Sequence, residues 1–234
     1  MTASVLRFPA TQSRQATVIF LHGLGQTTEV WRATMHWFFR QFPNIEWILP
    51  QAFSKPVSYN QGQLRASWFD IGNLPPGYLE WDEAGISQAI GSIEGIIQAE
   101  VHRGVDSRKI VLMGFSQGAA LSLMVGLTSL HELGGVASLS GWIPHRMREH
   151  IIQTDPSLPV FWGYGINDTD IPPYYSEEAM GFLRDVLRFP AHLLCFKGYQ
   201  GLGHSVSTEE MNDLTNWLLR VSRLQPVVNG IRTV

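Results

Sequence analysis

The sequence feature that most constrains the fold is a Gly-x-Ser-x-Gly segment set between an apolar run and an alanine-rich run. Residues 110–113, Ile-Val-Leu-Met, are apolar and partly β-branched, which predicts a fully buried central strand. From Gln117 the chain is rich in Ala and Leu without a helix breaker, which predicts a buried helix. A strand that turns directly into a helix leaves no room for side chains, so Gly114 and Gly118 suit that turn. Ser116, at its apex, is then presented as a nucleophile.

The same five residues also occur in ordinary surface turns, and the pattern alone is weak in a chain with 22 glycines. The strand before the serine and the helix after it favour the nucleophile. This interpretation requires the rest of the chain to supply an acid and then a histidine, in that order after the serine. It also requires two backbone amides that can bind an oxyanion.

Length and composition predict one α/β domain, with a core from about residue 16 to 222 and a C-terminal tail over 223–234. The chain has 234 residues, 44% of them hydrophobic and 16% charged, which is typical of a globular protein with a sizeable core. The apolar runs predict a mostly parallel central sheet with helices on both faces. A net charge of −3 excludes a basic face for nucleic acid or anionic lipid, so membrane contact is expected to be peripheral at most.

The chain is expected to be cytoplasmic. Its single cysteine, Cys195, cannot form an internal disulfide, and its apolar neighbours predict a buried position in a strand. No apolar run approaches the length of a membrane span, and the N-terminus lacks the basic-then-apolar layout of a signal peptide.

Periodicity and turn residues place the other elements. Predicted strands cover residues 4–8 (at an edge), 16–21, 45–49, 135–140, 159–163 and 192–196. Predicted helices cover about 28–41, 82–101, 173–188 and 208–221. The segment 51–80 is rich in Pro, Gly, Asn and aromatic residues, and we expect it to lack regular structure and to be functional. Only about sixteen residues separate Trp142 from the next strand, which leaves no length for a cap domain and predicts an open site.

The glycine-rich loop at residues 22–27 follows a predicted strand and precedes a predicted helix. A phosphate cradle is one interpretation, but the loop lacks both the Gly-x-Gly-x-x-Gly spacing and a P-loop lysine. The other interpretation is an oxyanion loop. The backbone N–H groups of Leu24 and of Gln117, the residue after the nucleophile, would then form the oxyanion hole.

Two acids and one histidine satisfy the required order. Asp168 and Asp170 both lie just beyond a predicted strand, and we expect one to meet the histidine and the other to cap the helix near Pro173. His204 lies in a Gly-flanked loop after the last strand, whereas His22 is expected to brace the oxyanion loop. Five other histidines have the context of solvated residues: His36, His102, His131, His145 and His150. The chain contains no His-Glu-x-x-His or paired-cysteine pattern, so neither a metal site nor a cofactor is predicted.

Aromatic residues provide the candidates for substrate contact. Trp68 and Phe69 either hold the segment 51–80 on the core or wall an apolar pocket together with Leu24 and Trp142.

Six segments in this order resemble the acyl-protein thioesterase family, also called the phospholipase/carboxylesterase family of serine hydrolases. They are Val-Ile-Phe-Leu-His-Gly-Leu-Gly at 18–25, Ser-Trp-Phe-Asp-Ile at 67–71, Gly-Phe-Ser-Gln-Gly-Ala at 114–119, Leu-Ser-Gly-Trp-Ile-Pro at 139–144, Asp-x-x-Ile-Pro at 168–172 and Gly-His at 203–204. The resemblance implies an α/β-hydrolase fold and a triad of Ser116, His204 and Asp168, the aspartate three residues before Ile-Pro. It also implies hydrolysis of long-chain acyl thioesters on cysteines of cytosolic proteins, with lysophospholipids or simple esters as side substrates.

Two positions depart from the family pattern, and two other functions stay open. Gln26 stands where the family usually has Asp, and Tyr164 where it often has His; Gln26 borders the oxyanion loop and so bears on substrate choice. A general carboxylesterase acting on soluble esters is one alternative, and a non-catalytic binder with a hydrolase fold is another. An open site rimmed by aromatic residues is also compatible with a homodimer.

Overall fold

The computed structural model describes residues 4–151 and 157–223 of the chain. Its strands are β1 Val5–Phe8, β2 Ala16–Leu21, β3 Ile45–Pro50, β4 Ser54–Val57, β5 Gln63–Ala66, β6 Ile110–Phe115, β7 Gly135–Leu139, β8 Val160–Gly165 and β9 Leu194–Tyr199. Its α-helices are α1 Thr28–Gln41, α2 Glu83–His102, α3 Gln117–Thr128, α4 His145–His150, α5 Pro173–Gly181 and α6 Thr208–Val221. The predicted tail, from residue 224 onward, lies outside the described residues, and the domain limits stay a prediction.

Seven strands form one central sheet in the order β1-β3-β2-β6-β7-β8-β9. Every neighbouring pair is parallel except β1 with β3, so the antiparallel strand lies at the edge, as predicted. The register runs straight across the middle of the sheet, from Ile19 through Leu112, Val136 and Val160 to Leu194. The carboxyl ends of β2, β6, β7, β8 and β9 therefore share one edge, where ligands of open α/β sheets bind.

Alternate residues of the buried strands supply two apolar cores, one on each face of the sheet. On one face Leu112 packs in a cluster with Ile93 of α2 and Leu121 of α3. On the other face Phe20 packs in a cluster with Trp31 of α1 and Leu214 of α6. The predicted arrangement, a mostly parallel sheet with helices on both faces, is confirmed.

The segment 51–80 departs from the prediction. It contains an antiparallel hairpin of β4 and β5, joined through Gln61 and Gly62, which both have positive φ. The expectation that this segment lacks regular structure is therefore wrong over residues 54–66. Most hairpin residues are solvent-exposed and Pro56 lies within β4, so the hairpin has none of the apolar alternation that identifies a strand in sequence.

A buried carboxylate joins the sheet to α2. The side chain of Glu100 is fully buried and pairs with three arginines: Arg7 at 2.9 Å, Arg14 at 2.6 Å and Arg103 at 2.7 Å. Burial by itself would raise the pKa of the Glu100 carboxyl, but hydrogen bonds from Arg14 and Arg7 hold that pKa below its ordinary value. The ionised form is therefore favoured in the folded state.

Replacing Glu100 with glutamine should lower the free energy of unfolding by about 2 kcal/mol at neutral pH, because the fully buried carboxylate loses its charge-assisted hydrogen bonds to Arg7, Arg14 and Arg103. A lowered carboxyl pKa stabilises the fold above the ordinary Glu pKa, and this contribution is lost as the pH falls through the folded-state pKa. Urea titrations at pH 7 and pH 3 should therefore show the wild-type advantage shrinking in acid. Glu83→Gln, on an exposed position of the same helix, serves as the control; an equal, small effect of both changes would contradict the account.

Candidate active site

The turn between β6 and α3 places Ser116 at the carboxyl edge of the sheet. Its backbone is strained, with φ 53° and ψ −120°, and its N–H donates to the Leu139 carbonyl at 2.9 Å. A Cβ on Gly114 would lie 2.3 Å from the Gly118 carbonyl oxygen, and one on Gly118 would lie 2.1 Å from that of Leu21. Both glycines are therefore required by close backbone contacts, which confirms the steric argument from the sequence.

Three predicted side chains meet at this turn in a line of hydrogen bonds. Nε2 of His204 lies 2.8 Å from Oγ of Ser116, and Nδ1 of His204 lies 2.8 Å from Oδ2 of Asp168. Asp168 follows β8 and His204 follows β9, so residues far apart in sequence are brought together by adjacent strands. Ser116 and Asp168 are buried, whereas His204 keeps partial contact with solvent.

Asp168 is held in place by its own backbone neighbours. Its second oxygen, Oδ1, accepts the N–H groups of Asp170 and Ile171, both at 2.9 Å. Burial would raise the pKa of the Asp168 carboxyl, but the hydrogen bonds from His204 and from these N–H groups lower it overall. The carboxylate therefore stays ionised beside the imidazole.

The second acid takes a different position from the one expected. Asp168 is the acid that hydrogen-bonds to His204, whereas Asp170 lines the cavity in front of Ser116. Helix α5 begins after Pro172 and has no side-chain cap, so the expectation that one of the two aspartates caps it is wrong. The residue at the cap position is Pro172, whose side chain has no acceptor, and Pro173 favours the start of the helix through its fixed φ.

The loop after β2 surrounds the N–H of Leu24 with backbone N–H groups that are already hydrogen-bonded within the protein. Oε1 of Gln26 accepts the N–H of Gly23 at 2.8 Å, and the N–H of Gly25 donates to Ala66 at 2.8 Å. The N–H groups of Leu24 and Gln117 have no acceptor in the described part of the chain, and both residues line the cavity that contains Ser116. The geometry is thus compatible with the predicted oxyanion hole.

His22 braces this loop, as the sequence suggested. Its Nδ1–H donates to the Gly23 carbonyl at 2.8 Å, and its Nε2 accepts the N–H of Ala52 at 3.1 Å and lies 3.0 Å from Nε2 of Gln51. Burial lowers the pKa of His22, although the hydrogen bond to Gly23 opposes that shift. The ring is therefore neutral and can accept at Nε2.

The side chain of Gln117 has a structural role that the sequence did not reveal. Its Oε1 accepts the N–H of Trp68 at 3.1 Å, and its Nε2 donates to the Phe69 carbonyl at 2.7 Å and to Oγ of Ser67 at 3.1 Å. These bonds tie the nucleophile turn to residues 67–69. No local pattern announces them, since they join positions about fifty residues apart.

A cavity of about 320 Å³ opens in front of Ser116 and His204. Its lining combines apolar side chains with polar ones from the β4–β5 hairpin and the loops around the site. The apolar members are Leu24, Ile71, Leu74, Phe115 and Trp142, and the polar ones are Gln26, Tyr59, Asn60, Arg65 and Asp170. Sequence reasoning missed most of these residues because the segment 51–80 carries no periodic signal.

A second cavity, of about 270 Å³, shares Ile71 and Trp142 with the first and is also lined by Phe69. Trp142 thus lies where the prediction placed it, whereas Phe69 reaches only this second cavity. Trp68 lines neither: its Nε1 donates to the His22 carbonyl at 2.7 Å, and its ring packs 5.1 Å from the His22 ring. Its contacts agree with the alternative, that it holds the segment on the core, and they place it outside both cavities.

Within residues 4–151 and 157–223, no group of three or more His, Cys, Asp or Glu side chains is arranged to hold a metal ion. Over the same residues, none of the helices combines the length and apolar character needed to cross a bilayer. Cys195 lies in a strand, β9, as predicted, but it is only partly buried where the sequence predicted a buried position.

Comparison with known proteins places this chain among hydrolases. Residues 8–222 match the family model described as phospholipase/carboxylesterase. Acyl-protein thioesterase 1 of Cryptococcus neoformans is 36% identical over 92% of this chain and 95% of its own length. A probable carboxylesterase of Arabidopsis thaliana, SOBER1-like, is 35% identical over 86% of this chain and 77% of its length. The crystal structure of Arabidopsis thaliana SOBER1 superposes with a TM-score of 0.80 at 30% identity, covering 88% of this chain and 98% of that one.

The family match spans nearly the whole chain, and the relatives align over most of their own lengths. The mostly parallel sheet and the serine turn at its carboxyl edge agree with that match. The chain therefore belongs to the phospholipase/carboxylesterase family and is a serine hydrolase.

Proposed function

We propose that the chain hydrolyses fatty-acyl thioesters on S-acylated proteins, with Ser116 as nucleophile, His204 as general base and Asp168 as the residue that orients His204. The observation that carries the proposal is the continuous hydrogen-bond chain from Asp168 through His204 to Ser116, at 2.8 Å for each step. Such a chain activates a serine hydroxyl, which at its free pKa is a poor nucleophile. No metal or cofactor enters this mechanism.

In the first step Oγ of Ser116 attacks the acyl carbonyl carbon while Nε2 of His204 takes the hydroxyl proton. The carbonyl oxygen becomes an oxyanion that accepts the N–H groups of Leu24 and Gln117, each contributing on the order of a hundredfold or more in rate. The ionised Asp168 stabilises the imidazolium of His204. The carbon–sulfur bond then breaks, and the thiol leaves with the proton from Nε2.

In the second step water attacks the acyl-serine ester and gives its proton to Nε2 of His204. The same two amides bind the second oxyanion. Breaking the bond to Oγ releases the fatty acid, and Oγ recovers the proton from His204. The products are a free thiol, a fatty acid and the unchanged enzyme.

Two observations support a fatty-acyl substrate. Ile71 and Trp142 line both cavities, so an acyl chain bound at Ser116 can continue past them toward the second cavity. The fungal relative at 36% identity is named an acyl-protein thioesterase. The proposal includes a cytoplasmic location, where S-acylated cysteines would be found, and it is supported by the single unpaired cysteine.

The activity should rise with the length of the acyl group. In a series from acetyl to octanoyl thioesters, kcat/KM should increase about threefold per added methylene, as long as each added methylene contacts the apolar wall of the cavity. Leu74→Ala, which removes part of that wall, should flatten the series. Leu130→Ala, on a fully exposed position, should leave it unchanged. A maximum at acetyl, with oxygen esters turned over faster than thioesters, would instead favour the general carboxylesterase.

A further inference from the structure

We propose that Gln26 determines selectivity for the leaving group: its side-chain amide donates a hydrogen bond to a peptide carbonyl oxygen next to the acylated cysteine. This inference rests on the proposed thioesterase function and adds to it a residue that recognises the protein part of the substrate. Gln26 lines the cavity that contains Ser116 and His204.

The orientation of the Gln26 amide follows from its two partners. Oε1 lies 2.8 Å from the backbone nitrogen of Gly23 and 2.8 Å from Nε1 of Trp31. Both nitrogens can only donate, so the amide oxygen must face them and the NH₂ group must face away. Among the described residues Nε2 of Gln26 has no hydrogen-bond acceptor, and the residue is only partly buried. Two N–H donors are therefore available to a bound substrate.

Gln26 and His204 line the same cavity, with Phe115 between their surroundings. The ring of Phe115 lies 4.9 Å from that of His204 and 5.3 Å from that of Trp31, the indole that donates to Gln26. One aromatic ring therefore separates the indole that holds Gln26 from the catalytic histidine, and the NH₂ group of Gln26 is the part of the amide left for a molecule bound in this cavity.

The departing thiol must lie in the same cavity, because it takes its proton from Nε2 of His204. In an S-acyl cysteine a single carbon atom, Cβ, separates the sulfur from the backbone, so the flanking carbonyl oxygens enter the site together with it. A neutral amide donor suits a neutral carbonyl acceptor. A simple alkyl thioester offers no such acceptor and cannot form this bond.

A purely structural role for Gln26, holding the oxyanion loop through Gly23, makes a different prediction. Gln26→Glu keeps an oxygen for Gly23 and Trp31 but removes the NH₂ group. If the residue only braces the loop, this change affects all thioesters alike. If its amide recognises the leaving group, the change lowers kcat/KM mainly for substrates whose leaving group carries a peptide carbonyl.

The test compares two octanoyl thioesters, one of N-acetylcysteine N-methylamide and one of butanethiol. The ratio of their kcat/KM values cancels effects of charge on Ser116 and His204 that act on both. We expect Gln26→Glu to lower this ratio by roughly three- to tenfold, the effect of one lost hydrogen bond. Gln98→Glu, which adds the same charge at an exposed position of α2 that does not line the cavity, should leave the ratio unchanged.

An unchanged ratio in folded Gln26→Glu would overturn the inference while leaving the proposed function intact, since both thioesters would still be hydrolysed by the wild type. If the wild type hydrolyses neither thioester, the inference and the proposed function are both overturned. If Gln26→Glu does not fold, the same comparison can be made with Gln26→Met. Methionine is similar in size to glutamine and its side chain has no N–H. The same fall in ratio is then expected, and an unchanged ratio contradicts the inference.

Discussion

Replacing Ser116 with alanine is expected to lower kcat/KM for an acyl thioester by about four powers of ten or more. Oγ of Ser116 is the atom that faces Nε2 of His204 at 2.8 Å, so its removal leaves no nucleophile for the covalent step. The change keeps the Cβ and every backbone hydrogen bond of the turn. The variant should therefore unfold at nearly the wild-type temperature, as measured by circular dichroism, while thiol release from the substrate is lost.

Ser140→Ala provides a matched control for this prediction. Ser140 is also buried, also has a positive φ, of 51°, and also follows a strand of the central sheet. Its Oγ has no hydrogen-bond partner in the described part of the chain. Its loss should change kcat/KM by no more than a few-fold. Comparable effects of the two substitutions would mean that Ser116 has no special role.

Replacing Asp168 with asparagine should lower kcat by about 10⁴-fold, as the corresponding change does in serine proteases. Two backbone N–H groups, of Asp170 and Ile171, donate to Oδ1, so the new amide keeps its oxygen there and turns its NH₂ toward His204. Nδ1 of His204 must then accept, which leaves the ring proton on Nε2, facing Ser116. That tautomer cannot take the serine proton.

Asp170→Asn separates this effect from a general loss of negative charge near the site. Asp170 lines the same cavity, but the carboxylate that hydrogen-bonds to His204 is that of Asp168, so neutralising Asp170 should change kcat only a few-fold. Steady-state kinetics of both variants on one thioester makes the comparison. A large loss in Asp170→Asn with near-normal turnover in Asp168→Asn would assign the acid to the other aspartate.

The turn around Ser116 could be predicted because its sequence signals are local. Two glycines are needed wherever a strand passes straight into a helix, and the clashes at Gly114 and Gly118 show why no other residue fits. The buried strands could be located for a similar reason, since a sheet covered on both faces requires continuous apolar runs. The required order of serine, acid and histidine along the chain then limited the candidates for the other two members of the triad.

Other parts of the site depend on contacts that no local pattern encodes. The β4–β5 hairpin is mostly exposed and so lacks apolar alternation, yet it supplies Arg65 to the cavity wall. Trp68 and Phe69 are adjacent and similar, but one packs on His22 and the other lines the second cavity. Gln117 acts through a side-chain amide whose partners, at residues 67–69, are set by tertiary structure. The reacting groups could be named from the sequence, but most of the residues that line the cavity around them could not.

Labelling with a fluorophosphonate probe tests the central claim most directly, because such probes react with an activated serine. The expected result is one probe per protein molecule, on the peptide that contains Ser116, with loss of thioester hydrolysis in proportion to labelling. Ser116→Ala should remain unlabelled and Ser140→Ala should label normally. Full hydrolysis after complete labelling, or attachment of the probe at another residue, would contradict the account.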